Sequence, residues 1–169
     1  MILYPNYYCK NVTKISIEFL KKHNIQGLIL DVDNTLIDID RNMLDGAIKW
    51  HDDIRNSGIK TIILSNTNKI DKVEGVAKKL NIDYISFAKK PSKKGFFRAK
   101  EKLGLKEENI AVIGDQIFTD VIGANRSKMF SILVEPVSKE DLWMTKWKRP
   151  LENWLIKQYL KQLEKRRDK

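Results

Sequence analysis

The sequence is poor in sulfur and has no long apolar run. A single cysteine, Cys9, among 169 residues rules out an internal disulfide framework and fits a reducing compartment. With no His or Asp pattern around it, Cys9 reads as a small buried apolar residue. No apolar stretch nears the roughly 18 residues that a bilayer span requires. The first ten residues, "MILYPNYYCK", are too short and interrupted for a signal peptide and lack the Arg-rich character of a transit peptide. The expected location is the cytoplasm, with contact at the membrane periphery left open by the charge described below. There is no internal repeat and no low-complexity linker. The length fits one domain with a sizeable core, and 42% apolar with 32% charged residues is an ordinary globular composition.

Short apolar runs recur along the chain: 27–33, 60–66, 82–88, 109–115 and 130–136. They are near-continuous Ile, Val and Leu rather than alternating, as parallel strands buried on both faces are. Helical patterns lie between them at 43–57, 69–80, 93–103 and 119–128, with Ser92 as N-cap of the third. Thr13 is expected to open a first helix carrying Ile15, Phe19 and Leu20. Strands alternating with single helices predict an α/β, Rossmann-like, doubly wound parallel five-stranded sheet. Residues 1–150 are expected to form the domain, and 151–169 a basic C-terminal helix appended to it.

Ligands in such folds sit at the carboxyl ends of the strands. The first run, "GLILDVDNTLID", ends in Asp31 and Asp33, two carboxylates that repel each other and contribute nothing to an apolar core. The second ends in Ser65-Asn66-Thr67, the third runs into Lys89-Lys90-Pro91, and the fourth ends in Gly114-Asp115 with Asp120 five residues on. Carboxylates converging on one edge need a cation, and hard oxygen donors with room for water suit Mg²⁺. A hydroxyl, backbone amides and an ammonium opposite that metal suit a phosphoryl group. As a calcium loop, "DVDNTLIDIDRN" fails: Ile37 stands at the seventh position, Asn42 at the twelfth, and the sixth is not Gly. No Walker-type glycine loop is present.

In order and spacing, "DVDNT", "LSN", "KKP" and "GDQIFTD" resemble the four motifs of the haloacid dehalogenase superfamily of aspartyl-phosphate phosphatases. More closely, "LDVDNTL…AKKPSKKGF…VIGDQIFTDVIGANR" is similar to the YqeG-type subfamily, whose relatives include mitochondrial phosphatidylglycerophosphate phosphatases. The likeness covers about residues 1–150. It implies that Asp31 is the nucleophile and that Asp33 is the general acid and base. Mg²⁺ would be bound by Asp31 and Asp115 and by the backbone carbonyl of Asp33. Ser65 and the Asn66 amide would hold a phosphoryl oxygen, and Lys90 would pair with the phosphate and with Asp31. Asp120 would act from behind, orienting Lys90 or a metal-bound water. Lys89, Lys93 and Lys94 compete for the role of Lys90, which is favoured because it precedes Pro91. The second strand should lie beyond the first, and the first and fourth should be neighbours. His23 and His51 read as surface or boundary residues, Arg126 as helix surface, and Asn34 and Thr35 as shaping the loop after the first strand.

Neither inter-motif gap has room for a cap domain, so the site should be open and the substrate should bring its own bulk. Net charge is +10, of which +6 lies in residues 144–169, where nine Lys or Arg face three acids. Trp143, Trp147, Trp154 and Tyr159 interleaved with lysines resemble an interfacial helix drawn to anionic lipid. The competing reading packs Leu151, Trp154, Leu155, Tyr159 and Leu163 against the domain or a second subunit. The leading expectation is a Mg²⁺-dependent phosphatase of phosphatidylglycerophosphate at the membrane surface. Two alternatives stand beside it: a phosphatase of a nucleic-acid end or soluble phosphomonoester, and a basic RNA- or ribosome-binding module with a vestigial site. The sequence lacks the interleaved aromatic and basic strand motif of an RNA-binding sheet, which argues against nucleic acid as partner.

Overall fold

The computed structural model describes residues 2–138 and 149–167. Six parallel strands form one sheet: β1 (Tyr7–Cys9), β2 (Gly27–Leu30), β3 (Lys60–Leu64), β4 (Tyr84–Ile85), β5 (Ile110–Gly114) and β6 (Phe130–Val134), in the order β1-β6-β5-β2-β3-β4. The helices are α1 (Ile17–Lys22), α2 (Ala47–Asn56), α3 (Ile70–Leu80), α4 (Lys93–Leu103), α5 (Ile122–Arg126) and α6 (Arg149–Arg167). As the order of the motifs requires, β2 sits centrally between β5 and β3, in register Leu30↔Ile113 and Leu30↔Ile63. The carboxyl ends that carry Asp31, Ser65 and Asp115 therefore lie side by side.

Successive residues of β2 serve opposite faces. Leu28 and Leu30 join a core with Leu20, Trp50, Ile54, Val73 and Leu80 from α1, α2 and α3. Ile29 joins Ile62, Leu64 and Val112 against Phe96, Ala99 and Leu103 of α4 and Ala124 of α5. A sheet covered on both faces explains the unbroken apolar runs. Ser92 caps α4, its Oγ accepting from Lys94 N, and Gly104 closes that helix at φ 65°.

Several expectations are corrected. The sheet has six strands, not five: β1 is a three-residue edge strand whose Tyr-Tyr-Cys is only half-buried and carries no aliphatic run. Helix α1 starts at Ser16, which accepts from Phe19 N, whereas Thr13 lies in a 3-10 turn capped by Asn11. The expected helix at 119–128 is a π-turn at Ile117–Val121 followed by the short α5. The 82–88 run keeps only two residues in the sheet, because the chain turns at Phe87 and Lys89, both with positive φ. Cys9 is half-buried rather than buried, and burial pushes its thiol up to about 11.

Asp33 is separated from α2 by a loop, and only α3 and β4 lie between β3 and Lys90. Helix α6 returns to the domain. Leu155 and Tyr159 are buried, Leu155 against Ile117, Val121 and Leu133, while Leu151 and Trp154 stay more than half exposed. One face of the tail is thus a packing element. Trp143, Trp147, Lys146, Lys148 and the side chain of Leu163 lie outside the described residues.

Candidate active site

Asp31 begins where β2 ends, its backbone N–H donating to Ile113 O at 2.9 Å and so tying it to β5. The chain then turns sharply, with Thr35 and Leu36 N–H groups donating to Val32 O. Asn34 adopts φ 58°, and its carbonyl and side-chain oxygens accept from Val137 N and Ser138 N. That fold-back brings the Thr35 hydroxyl within 3.4 Å of both Asp31 Oδ2 and Asp115 Oδ1.

Lys90 lies at the centre. Its Nζ is 2.6 Å from Asp31 Oδ1 and 2.6 Å from Asp120 Oδ1, and the side chain is 3% exposed. Asn66 fixes the Lys90 backbone from both sides, its Oδ1 accepting from Lys90 N at 2.6 Å and its Nδ2 donating to Lys90 O at 3.1 Å. Lys89, Lys93 and Lys94 are exposed, so burial separates Lys90 from its three competitors. The second oxygen of Asp120 accepts from Gln116 N and the Thr119 hydroxyl. Ser65 is 1% exposed and its Oγ accepts from Thr67 N.

Carboxylate oxygens of Asp31, Asp115 and Asp120 all lie within 4.8 Å of one another, and all three residues are buried. Three buried carboxylates that converge so closely, with hard oxygen donors, fit a divalent cation. Burial drives the Asp31 carboxyl up to about 7, against the lowering pull of Lys90 and with Asp120 and Asp33 adding repulsion. Burial alone would depress Lys90, but Asp120 and Asp31 outweigh it and hold the ammonium charged well above the ordinary lysine range. Asp33 stands at the edge of the cluster, its carboxylate in an ion pair with Lys72 of α3.

The structure therefore brings together Asp31, Asp115, Asp120 and Lys90, with Asn66 bound to the Lys90 backbone and Asp33 at the rim. Arg126 is exposed at the end of α5. Three residues were under-read in the sequence. Thr35 is fully buried between two carboxylates, although the Thr of "DVDNT" was its visible signal. Lys72 had none, because only the packing of α3 sets it beside Asp33. His51 is 1% exposed, where a surface or boundary position was expected. It shares the inner face of α2 with Ala47, Trp50 and Ile54, a three-to-four-residue spacing that was legible, and burial lowers its imidazole.

The architecture and the buried Asp-Lys cluster define a hydrolase of the haloacid dehalogenase type. A profile of the haloacid dehalogenase-like hydrolase family matches residues 41–128. The chain belongs to that family and is a phosphatase. It is 40% identical over 153 residues to "Probable phosphatase YqeG" of Bacillus subtilis (strain 168), covering 90% of this chain and 88% of that one. It is 26% identical over 178 residues to "Phosphatidylglycerophosphate phosphatase 1, chloroplastic/mitochondrial" of Arabidopsis thaliana, covering 93% of this chain but only 48% of that relative. Among solved structures, an uncharacterized protein from Listeria monocytogenes serotype 4b shares the fold at TM-score 0.57 and 20% identity, over 70% of this chain and 85% of that one.

Proposed function

We propose that the protein is a Mg²⁺-dependent phosphomonoesterase that works through an aspartyl-phosphate, with phosphatidylglycerophosphate at a membrane surface as its substrate. The observation that carries the chemistry is the buried Asp31 carboxylate, held by Lys90 Nζ at 2.6 Å within a cluster of three acids. An oxygen of Asp31 attacks phosphorus while the bond to the leaving oxygen breaks, and Asp33, entering the step protonated and parted from Lys72, gives that alkoxide its proton. Water then attacks the phosphorus of the aspartyl-phosphate, the bond to Asp31 breaks, and Asp33 takes back a proton. Inorganic phosphate leaves. Lys90 neutralises an oxygen of Asp31 and draws in the phosphate, while Asp120 fixes the ammonium. Asp120 has one oxygen on Lys90 and the other on Gln116 N and Thr119, which fits an orienting group. Ser65 and the Asn66 amide receive a phosphoryl oxygen. Asp31, Asp115 and the Asp33 carbonyl would hold Mg²⁺, which supplies charge neutralisation on the phosphoryl oxygens.

The lipid substrate is supported by the likeness to the Arabidopsis relative and by a site with no insertion above it among the described residues. The test is phosphate release from a panel with and without Mg²⁺: an aryl phosphate, a sugar phosphate, a 5′-phosphorylated oligonucleotide and phosphatidylglycerophosphate. The lipid should give the largest kcat/KM, and Asp31→Asn should abolish turnover on every substrate while leaving the melting temperature within a few degrees. A preference for the oligonucleotide or the sugar phosphate would retain the chemistry and reject the lipid.

A further inference from the structure

We propose that the rim of the active site is itself a bilayer-docking surface: Ile39, Ile70 and Phe87 enter the headgroup region of an anionic membrane while Lys69 and Lys89 pair with lipid phosphates. This rests on the lipid-phosphate reading above and moves the membrane contact from the basic tail to the mouth of the site.

The three apolar side chains are 42%, 45% and 52% exposed: Ile39 lies in the loop after β2, Ile70 is the first residue of α3, and Phe87 lies in the loop after β4, all at the carboxyl edge of the sheet. Single exposed apolar residues need no explanation; these three belong to neighbouring segments that are bonded to one another. Arg41, two residues from Ile39, pairs with Asp71, the neighbour of Ile70, at 2.8 Å. Phe87 N–H donates to Thr67 O at 3.4 Å, and Asn66 clamps Lys90. The segments thus form one continuous border around Asp33 and Lys90.

The segment 87–90 alternates in direction. Ala88 and Lys90 turn inward, 4% and 7% exposed, while Phe87 and Lys89 point out. Both outward residues sit in the left-handed region, at φ 51° and 55°, which side-chain-bearing residues seldom adopt. Backbone strain held at a site is characteristic of functional segments. Here it keeps a phenyl ring in solvent at the mouth of the site while the adjoining residues build it.

Charge complementarity selects the occupant. Lys69 and Lys89 are exposed and in no ion pair among the described residues. Of the nearby acids, Asp71 is ion-paired with Arg41 and Asp33 with Lys72, while Asp38, bonded to the neutral amides of Asn42, and Asp40 keep their charge. Against these two stand Lys69, Lys89 and, exposed in the first turn of α4 and likewise in no ion pair among the described residues, Lys93 and Lys94. Apolar tips interspersed with free ammonium groups match the interface of an anionic bilayer, where aliphatic and aromatic side chains enter the acyl boundary and lysines stay with the phosphates.

The test uses the full chain with Mg²⁺ and vesicles of phosphatidylcholine containing about a third phosphatidylglycerol. Wild type is compared with the triple variant Ile39→Ser, Ile70→Ser, Phe87→Ser in co-sedimentation, in hydrolysis of phosphatidylglycerophosphate in those vesicles, and in hydrolysis of a soluble aryl phosphate. The expected result is at least a tenfold loss of vesicle binding and vesicle turnover, with the aryl phosphate rate within twofold. Equal vesicle binding and turnover by the two proteins would overturn the proposal. So would a wild type that forms dimers, or binds an oligonucleotide, through this rim instead of binding vesicles. If the triple variant also loses aryl phosphatase activity, Phe87→Trp decides: its added fluorescence should be quenched by brominated lipid, and an unquenched signal rejects the rim. Hydrolysis of the same lipid dispersed in detergent separates the two readings. Failure there, by wild type, rejects the lipid substrate; success there with equal vesicle rates rejects the rim alone.

Discussion

A Cβ on Gly114 would collide with the carboxylate carbon of Asp120, so the approach of β5 to the Lys90–Asp120 pair depends on the missing side chain. Gly114→Ala should push Asp120 off the lysine. A displacement near 1 Å in a reacting site can lower the rate by about 100-fold, and kcat/KM on an aryl phosphate should fall on that scale while the protein stays folded. Wild-type kinetics in this variant would remove Asp120 from the machinery. For Asp33, the general-acid role predicts that Asp33→Asn suffers less with aryl phosphates, whose leaving groups need no proton, than with alkyl phosphates; equal losses would count against it. Under the proposed role of Asp31 as a Mg²⁺ ligand, it also links metal to pH. Its carboxyl, raised by burial to about 7 in the metal-free fold, contributes stability that is fully present below its unfolded pKa of about 4 and is lost as pH rises through 7. A bound cation must displace that proton. The Mg²⁺-induced rise in Tm should therefore be small near pH 5 and level off above pH 7, and thermal melts showing a rise independent of pH would refute the linkage.

At the scale of elements, α6 works from the side facing the domain. Glu152 is buried, and its Oε1 accepts from Phe118 N at 3.2 Å, at the start of the π-turn that carries Asp120. Leu155 packs against Ile117 and Val121 of the same turn. Removing a buried leucine side chain costs about 2–5 kcal/mol, so Leu155→Ala should lower stability on that order in denaturant unfolding. Truncation after Pro150 should lower Tm and reduce turnover of soluble and lipid substrates alike. If it spares the soluble substrate and affects only vesicle turnover, the tail is a membrane element and its packing on the π-turn is incidental. Leu151 and Trp154, more than half exposed on α6, are the residues left for the tail to add membrane contact.

At the scale of the whole molecule, a net charge of +10 and a site with no cap among the described residues predict a salt effect confined to surface-bound substrate. The Debye length falls from about 10 Å at 0.1 M salt to about 3 Å at 1 M. Vesicle turnover should fall steeply over that range, and aryl phosphate turnover should change little because the Lys90–Asp31 contact is buried. Parallel salt curves for the two substrates would argue that membrane attraction plays no part.

Much of this was legible in the chain. Continuous Ile, Val and Leu runs determined the parallel sheet, since only strands covered on both faces tolerate them, and the polar residues ending those runs located Asp31, Ser65, Lys90 and Asp115. The spacing of helices and strands left no room for a cap. Tertiary structure decided the rest, because those facts depend on groups distant in sequence. It set Lys72 beside Asp33, turned Thr35 between Asp31 and Asp115, and buried Lys90 while leaving Lys89 outside. It also added β1, a strand with no aliphatic run that exists through its pairing with β6, and divided the tail into a face bound to the π-turn and a face left in solvent. Local pattern records which residues avoid water; which charges meet depends on how the elements pack.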